Sequence, residues 1–596
     1  MGLACEQRWA RTLQGFDSTA ARACPSRISR AYPVVRRLNS VANEERFLSA
    51  PQKISLPMST IQNPVLRGFN PDPCVCRGKD AWYIAVSTFE WYPGVLIYES
   101  QDFVNWELKA APLDRLSQLN LIGEQPSGGI WAPALSYHDG LYWLVYTDTK
   151  AWKGEQKISP LRDMHNYVVT APDITGPWSE PVHLVSGGYD PSLFHDESGK
   201  KWLAYIRRDF RGIHEDLFAG IILREYSVEE KKLVGEERVI YKGANLKTDY
   251  FMKCQIYEAP HLLQKGGWYY LITAEGGTGY THATCVSRSR DIFGPYELHP
   301  DTPMLTSRDV SGRIQRTGHG NLVEGPNGQW YMTYLGSRPI DAHTKRSPLG
   351  RETCIAPIEW QAGWPRLATG GVVPAETFAI DSDIEQRLDS SWAIDFGHAA
   401  ALPLELQSLR IPIGDDWCNL RERPGYLRIR GQESPTSRFH QSLLACRIRD
   451  WQFEVETELE FSPMSYLHMA GLMARYDENT FYYLFVTRDD DGTKILSYME
   501  MDAGSFAYGN RLATLPEAAG IGLRVRVEDA KLRFFHRSQD GDWKDLGLEK
   551  DFTKLSDEYA TPIGFTGAFA GITVNDMLGF REPADFRSFS YRQLTG

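Results

Sequence analysis

No apolar run in these 596 residues approaches the 18 or so that a membrane-spanning helix needs, so no membrane partner is expected. Positive charge is also in short supply: 65 Lys and Arg stand against 76 Asp and Glu, a net charge of -11. Nucleic acids and anionic surfaces are recognised by clustered Lys and Arg, so neither is expected as a partner. The nine cysteines are an odd number and show no zinc-site spacing. Cys74 and Cys76 lie two residues apart on a strand-like segment, poorly placed to bridge. The thiols therefore read as free, in a reducing compartment. The first 57 residues lack the apolar stretch of a secretory signal. Glu6 stands where a myristoylation signal wants Ser or Thr. Arg8, Arg11, Arg22, Arg27, Arg30, Arg36 and Arg37 give the segment a transit-peptide flavour that Glu6, Asp17, Glu44 and Glu45 weaken. Residues 1–57 read as a disordered extension, or as a start placed too early with Met58 the true one. A cytoplasmic location is expected, with organelle targeting left open by the Arg-rich tail.

Aromatic residues, by contrast, are abundant. At 12 % of the chain, with 17 tryptophans, they favour β-structure and flat ligands such as sugars or bases. They are also periodic. A Gly- or Asp-rich turn followed by an aromatic strand occurs as Gly78-Lys-Asp-Ala-Trp-Tyr-Ile-Ala85 and Asp139-Gly-Leu-Tyr-Trp-Leu-Val-Tyr146. It recurs as Ser198-Gly-Lys-Lys-Trp-Leu-Ala-Tyr205, Gly266-Gly-Trp-Tyr-Tyr-Leu-Ile-Thr273 and Asn327-Gly-Gln-Trp-Tyr-Met-Thr-Tyr334. Five copies, about 60 residues apart, predict a five-bladed β-propeller over residues 58–375, one four-stranded blade per copy. The strand aromatics are expected to be core between blades. The repeat ends after Trp364-Pro365. A polar linker is expected over 376–390 and a second all-β domain over 391–596. There Phe453, Val455, Thr457, Leu459 and Phe461 alternate with Glu454, Glu456, Glu458 and Glu460, the pattern of a two-sheet sandwich.

Within the propeller, three acids sit in rigid turns. Asp72 lies between two prolines in Asn70-Pro-Asp-Pro73, a segment expected to be extended. Asp190 precedes Pro191 in Gly187-Gly-Tyr-Asp-Pro-Ser192, and Glu258 lies in Ile256-Tyr-Glu-Ala-Pro-His261. Taken singly, each reads as a turn cap. Taken together, they head the inner-strand candidates of three blades, and inner strands meet at the propeller axis. Three carboxylates around one pocket suit glycoside hydrolysis: a base for water, an acid for the leaving oxygen, and a third to orient the acid and raise its pKa. A non-catalytic sugar-binding propeller is the alternative from another class.

Six motifs carry a resemblance, in order along the chain. They are Asn63-Pro-Val-Leu-Arg-Gly-Phe-Asn-Pro-Asp-Pro73, Ser87-Thr-Phe-Glu-Trp-Tyr-Pro-Gly94, Gly129-Ile-Trp-Ala-Pro133, Tyr189-Asp-Pro-Ser192, Glu258-Ala-Pro-His261 and Leu349-Gly-Arg-Glu-Thr353. From about Ile61 to its end the chain resembles glycoside hydrolase family 43, most of all its β-xylosidases. The resemblance implies a five-bladed propeller followed by a concanavalin-like β-sandwich. It implies an exo-acting, inverting hydrolase that releases xylose from the non-reducing ends of β-1,4-xylo-oligosaccharides, with α-L-arabinofuranosidase as a side activity or as the main one. It implies Asp72 as general base, Glu258 as general acid and Asp190 as modulator of the acid. For inversion, base and acid should stand roughly 6.5–9.5 Å apart. Phe89 and Trp131 match aromatic walls of the terminal-sugar subsite, and Arg351 matches an arginine that bonds that sugar's hydroxyls. His319 matches a histidine near the axis, where a water-held divalent cation such as calcium is left open; no cofactor is expected to be required. Phe569, in Phe565-Thr-Gly-Ala-Phe569, resembles a sandwich residue that closes the pocket. Small xylo-oligosaccharides are the expected partners, and a homo-oligomer is left open.

Overall fold

The computed structural model describes residues 58–153, 158–211, 218–243, 256–308, 310–518, 520–538, 541–559, 564–579 and 581–594; the expectations for residues 1–57 lie outside them. The described elements are strands apart from short 3-10 turns. Five antiparallel sheets follow one another along the chain, and their innermost strands are Cys74–Arg77, Ala134–His138, Gly188–His195, Tyr257–Lys265 and Gln315–Glu324. Each inner strand contacts the next, and the fifth contacts the first, so the sheets close into a five-bladed propeller. The repeated aromatics fill the seams between blades: Tyr83 of the first blade meets Tyr142 of the second edge to face, and Trp143 meets Tyr226 of the third.

The ring is fastened at its start. Asn63 exchanges two hydrogen bonds with the Ile355 backbone in blade five, at 2.8 and 2.9 Å. The strand Met58–Gln62 pairs with Thr377–Asp381. That second strand falls inside the expected linker 376–390, which is therefore partly ordered sheet. Phe378 and Ile380 supply the reason, because they bury apolar side chains against blade one.

Two eight-stranded sheets form the sandwich around one continuous core. Along Phe453–Phe461 the apolar positions are buried as expected. The glutamates opposite do not simply face water. Cross-strand arginines meet them: Arg524 pairs with Glu456, Arg537 with Glu458, and Arg526 and Arg592 with the buried Glu454.

One strand of this sandwich comes from the propeller. Trp91–Tyr92, in the loop of blade one, pairs with Gln407–Leu409 and extends the second sheet. The Trp91 indole then stacks on Phe569, ring centroids 3.7 Å apart at 14°. Arg447 of the sandwich donates from Nε to the Phe69 carbonyl at 2.5 Å. Shared sheet, stacked rings and buried polar bonds make the two domains one folded body. We expect Trp91→Ala to leave a void at this junction and to cost about 3–5 kcal/mol, as large-to-small changes in aromatic cores do. The midpoint of urea unfolding measures it; an unchanged midpoint would show that the stack does not hold the domains together.

Candidate active site

Local backbone geometry aims the acids. Asp72 is not extended: its φ is 55°, and Asp190 has φ 52°, both in the left-handed region despite the following prolines. Ala259, directly after Glu258, has φ 50°, and His319 has φ 54°. The inner strands carry bulges at these points, with register shifts between Tyr189 and Ser192, between Glu258 and His261, and on both sides of Gly318. A bulge bends the strand and re-aims a side chain, at a backbone cost of order 1–3 kcal/mol per strained residue. Here the re-aimed side chains point to a common space.

That space is a cavity of about 470 Å³ bordered by Asp72, Asp190 and Glu258 together. The size suits a small ligand. Phe89, Trp131, Arg351 and His319, the other candidate residues read from the propeller sequence, line it too. Phe569 does not. It is fully buried behind the wall, between Trp91 and Phe69, because it opens a strand whose outward face is covered by the propeller. Phe565, four residues earlier in the same motif, lines the cavity instead and packs edge to face on Trp131 at 5.9 Å. The sandwich also contributes Asp557 and Glu558, both bound to Arg316 of the fifth inner strand.

Asp72 is buried and heavily partnered. Arg351 donates from Nη1 to Oδ1 at 2.5 Å, and Ser87 donates from Oγ to Oδ2 at 2.6 Å. A carboxylate oxygen can accept more than one hydrogen bond, so these partners do not exhaust its capacity. Arg351 uses its other terminal nitrogen on the Phe565 carbonyl at 3.1 Å. Among the described residues its Nε has no hydrogen-bond partner.

Asp190 accepts a hydrogen bond from the Ala259 amide at 3.1 Å and so grips the peptide that follows Glu258. Glu258 accepts one from the Tyr189 hydroxyl at 3.0 Å. Burial pushes the Asp190 carboxyl well above the usual carboxylate range, and the charges of Glu258 and Asp72 push it further. Burial raises Glu258 as well, with Asp72 adding to the shift and Tyr189 and Arg208 opposing it. Two buried acids side by side resist double ionisation, so the pair retains a proton above the pH at which exposed carboxyls lose theirs.

His319 stands with Nδ1 3.6 Å from Asp72 Oδ1. Burial and the neighbouring Arg351 charge lower its pKa to about 3, so the ring is neutral. Among the described residues no three His, Cys, Asp or Glu side chains are grouped to hold a metal ion. A cation here would meet the His319 imidazole and an Asp72 carboxylate already paired with the Arg351 guanidinium, whose charge opposes it, and we route no chemistry through one. Ser87, Tyr189, Phe565, Arg316, Asp557 and Glu558 are among the site residues that sequence reasoning passed over. The first three lie inside quoted motifs, but nothing in one strand's pattern says what a distant strand will bond.

The family profile described as Glycosyl hydrolases family 43 matches residues 61–365. The chain belongs to this family. A second profile, Beta xylosidase C-terminal Concanavalin A-like domain, matches residues 394–592. The Beta-xylosidase of Bacillus subtilis (strain 168) is 42 % identical over 546 residues, covering 89 % of this chain and 99 % of that protein. A non-reducing end alpha-L-arabinofuranosidase of Bacteroides ovatus is 30 % identical, covering 91 % of this chain and 96 % of the other. The crystal structure of xylan beta-1,4-xylosidase from Bacillus halodurans C-125 superposes with a TM-score of 0.84 at 44 % identity, covering 89 % of this chain and all of that one.

Burial gives the acid pair a stability signature. A group whose folded pKa is raised contributes stability below its unfolded pKa and loses it as pH rises through the folded value. Asp190 and Glu258 are both of this kind. We therefore expect Glu258→Gln, which cannot ionise, to melt higher than the wild type at pH 8 and to show a flatter dependence of melting temperature on pH. Scanning calorimetry from pH 5 to 8 checks this; equal curves would mean that Glu258 is not buried as described.

Proposed function

We propose that this family 43 glycosidase is an exo-acting, inverting β-xylosidase. It releases xylose from the non-reducing ends of short β-1,4-xylo-oligosaccharides, with α-L-arabinofuranosidase as a side activity. The observation that carries the reading is the meeting of Asp72, Asp190 and Glu258 in one cavity whose wall the sandwich completes with Phe565. The names of the relatives support the choice of sugar.

In this reading Asp72 is the general base. Arg351 and Ser87 hold its carboxylate fixed while a free lone pair takes the proton of a water attacking the anomeric carbon. Glu258, protonated within its pair with Asp190, gives its proton to the departing oxygen on the other side of the sugar ring. Asp190 serves Glu258 twice, by gripping its peptide and by placing a negative neighbour beside it. Phe89, Trp131 and Phe565 surround the terminal sugar with apolar faces. A pocket closed in this way admits a chain end and not the middle of a polymer. A pentose of either configuration presents similar hydroxyls to Arg351, which accounts for the second activity.

Nitrophenyl β-xyloside should be cleaved faster than nitrophenyl α-L-arabinofuranoside; the reverse order would make arabinofuranosidase the main activity. Proton NMR should show α-xylose as the first-formed anomer, and β-xylose appearing first would refute inversion. On xylobiose, Glu258→Ala should lose roughly 10²–10⁴-fold in kcat, the usual contribution of a general acid. Asp190→Asn removes the negative neighbour. It should shift the alkaline limb of the kcat/KM profile to lower pH, because Glu258 then gives up its proton more readily. An unmoved limb would remove Asp190 from the proposed role.

A further inference from the structure

Ser127 lies outside the catalytic triad, in the loop that leads to the second blade, yet two of the cavity's aromatic walls, Trp131 and Phe565, are tied to it. It is fully buried, and its φ is 60°, strained for a residue with a side chain. Three of its groups are used. Its amide donates to Glu90 Oε2 at 3.0 Å. Its carbonyl accepts from the Trp131 indole at 2.9 Å. Its hydroxyl oxygen accepts from the Phe565 amide at 3.0 Å. The Phe565 peptide is thus held at both ends, by Ser127 on its N–H and by Arg351 on its carbonyl. Arg351 in turn holds Asp72.

We propose that Ser127 is a positioning residue that latches the Phe565 loop of the sandwich onto the propeller, and so sets how tightly the cavity closes on the terminal sugar. The proposal rests on the glycosidase reading above for its kinetic consequence, but not for its structural one. Two features argue for a built latch. The bond joins residues 438 positions apart and crosses the domain junction. And the hydroxyl that makes it sits on a backbone that glycine would adopt without strain, so this chain carries a side chain where its absence would relax the loop.

Ser127→Ala deletes the acceptor for Phe565 while leaving the Trp131 and Glu90 bonds, which use only backbone atoms. The latch therefore makes separable demands. Hydrogen–deuterium exchange in the peptide spanning 564–568 should quicken by about tenfold in Ser127→Ala, as loss of one buried bond permits local opening. On xylobiose KM should rise about tenfold while kcat stays within about threefold, since the loss falls on ground-state and transition-state binding alike. In a Phe565→Ala background Ser127→Ala should add little to KM, because the ring it positions is gone. Unchanged exchange at 564–568 would overturn the latch whatever the activity. So would a kcat loss without a KM change, or additivity with Phe565→Ala. If the wild type turned over no xyloside, the proposed function would fall, and exchange would still decide the latch.

Discussion

The site depends on one buried guanidinium. Arg351 has almost no exposed surface, and it bonds the Asp72 carboxylate with one terminal nitrogen and the Phe565 carbonyl with the other. A planar fork can do this because its donors diverge at fixed angles; a lysine ammonium could not hold both partners in one geometry. The arrangement couples a propeller acid to a sandwich loop across hundreds of residues of sequence. It is also costly to break. Removing one member of such a pair leaves the other buried and unpaired, typically at about 3–5 kcal/mol. The same group is thus a constraint on folding and on function.

The ion pair can act only if the backbone delivers Asp72 to it, and here the prolines work differently from expectation. They flank a left-handed residue, not an extended one. Asp190, with a proline only after it, is left-handed too in the third blade, and Ala259 places a left-handed residue just after Glu258 in the fourth. An ideal propeller strand would send alternate side chains into the seams between blades. The bulges break that alternation where an acid is needed, so the strain is local and the rest of each blade stays regular. Strain at these positions is offset by the bonds they make: Ser87 to Asp72, the Ala259 amide to Asp190, and Tyr189 to Glu258.

What was legible in the sequence follows from this division. The regular parts of the fold repeat, so five turn-plus-aromatic copies were enough to count blades, and alternation along 453–461 was enough to see a sandwich. The acids were visible because proline punctuates irregular backbone. The conformation of Asp72 was misjudged because proline bias is a tendency that tertiary bonding overrides. Contacts between distant segments left no local mark. Nothing about Trp91–Tyr92 shows that it will join a sheet formed more than 300 residues later, where it pairs with Gln407–Leu409. Phe569 and Phe565 illustrate the limit well. Both are aromatic residues in one motif, and only the position of the strand start decides which is core and which faces the cavity. The linker was misjudged for a similar reason: Phe378 and Ile380 are too few to signal a strand until Met58–Gln62 is there to pair with them.

The domain junction explains why a propeller, whose axis is open to solvent in principle, can act on chain ends alone. The wall that closes the cavity is not propeller material. Phe565, Asp557 and Glu558 arrive from the sandwich, and Arg316 and Arg351 reach across to receive them. Behind this wall the junction is tight: Trp91 on Phe569, Arg447 on the Phe69 carbonyl, and Arg338 on both Glu352 and the Arg449 carbonyl. Buried arginines are tolerable only when each finds its acceptors, so the junction has one register and little freedom to slide. A sliding junction would change the depth of the pocket, and with it the length of chain admitted. Selection of a terminal sugar is on this view a property of interdomain packing. In the proposed mechanism the acids determine what is done to the bond, and the fit of the sandwich against the propeller determines which bond is presented.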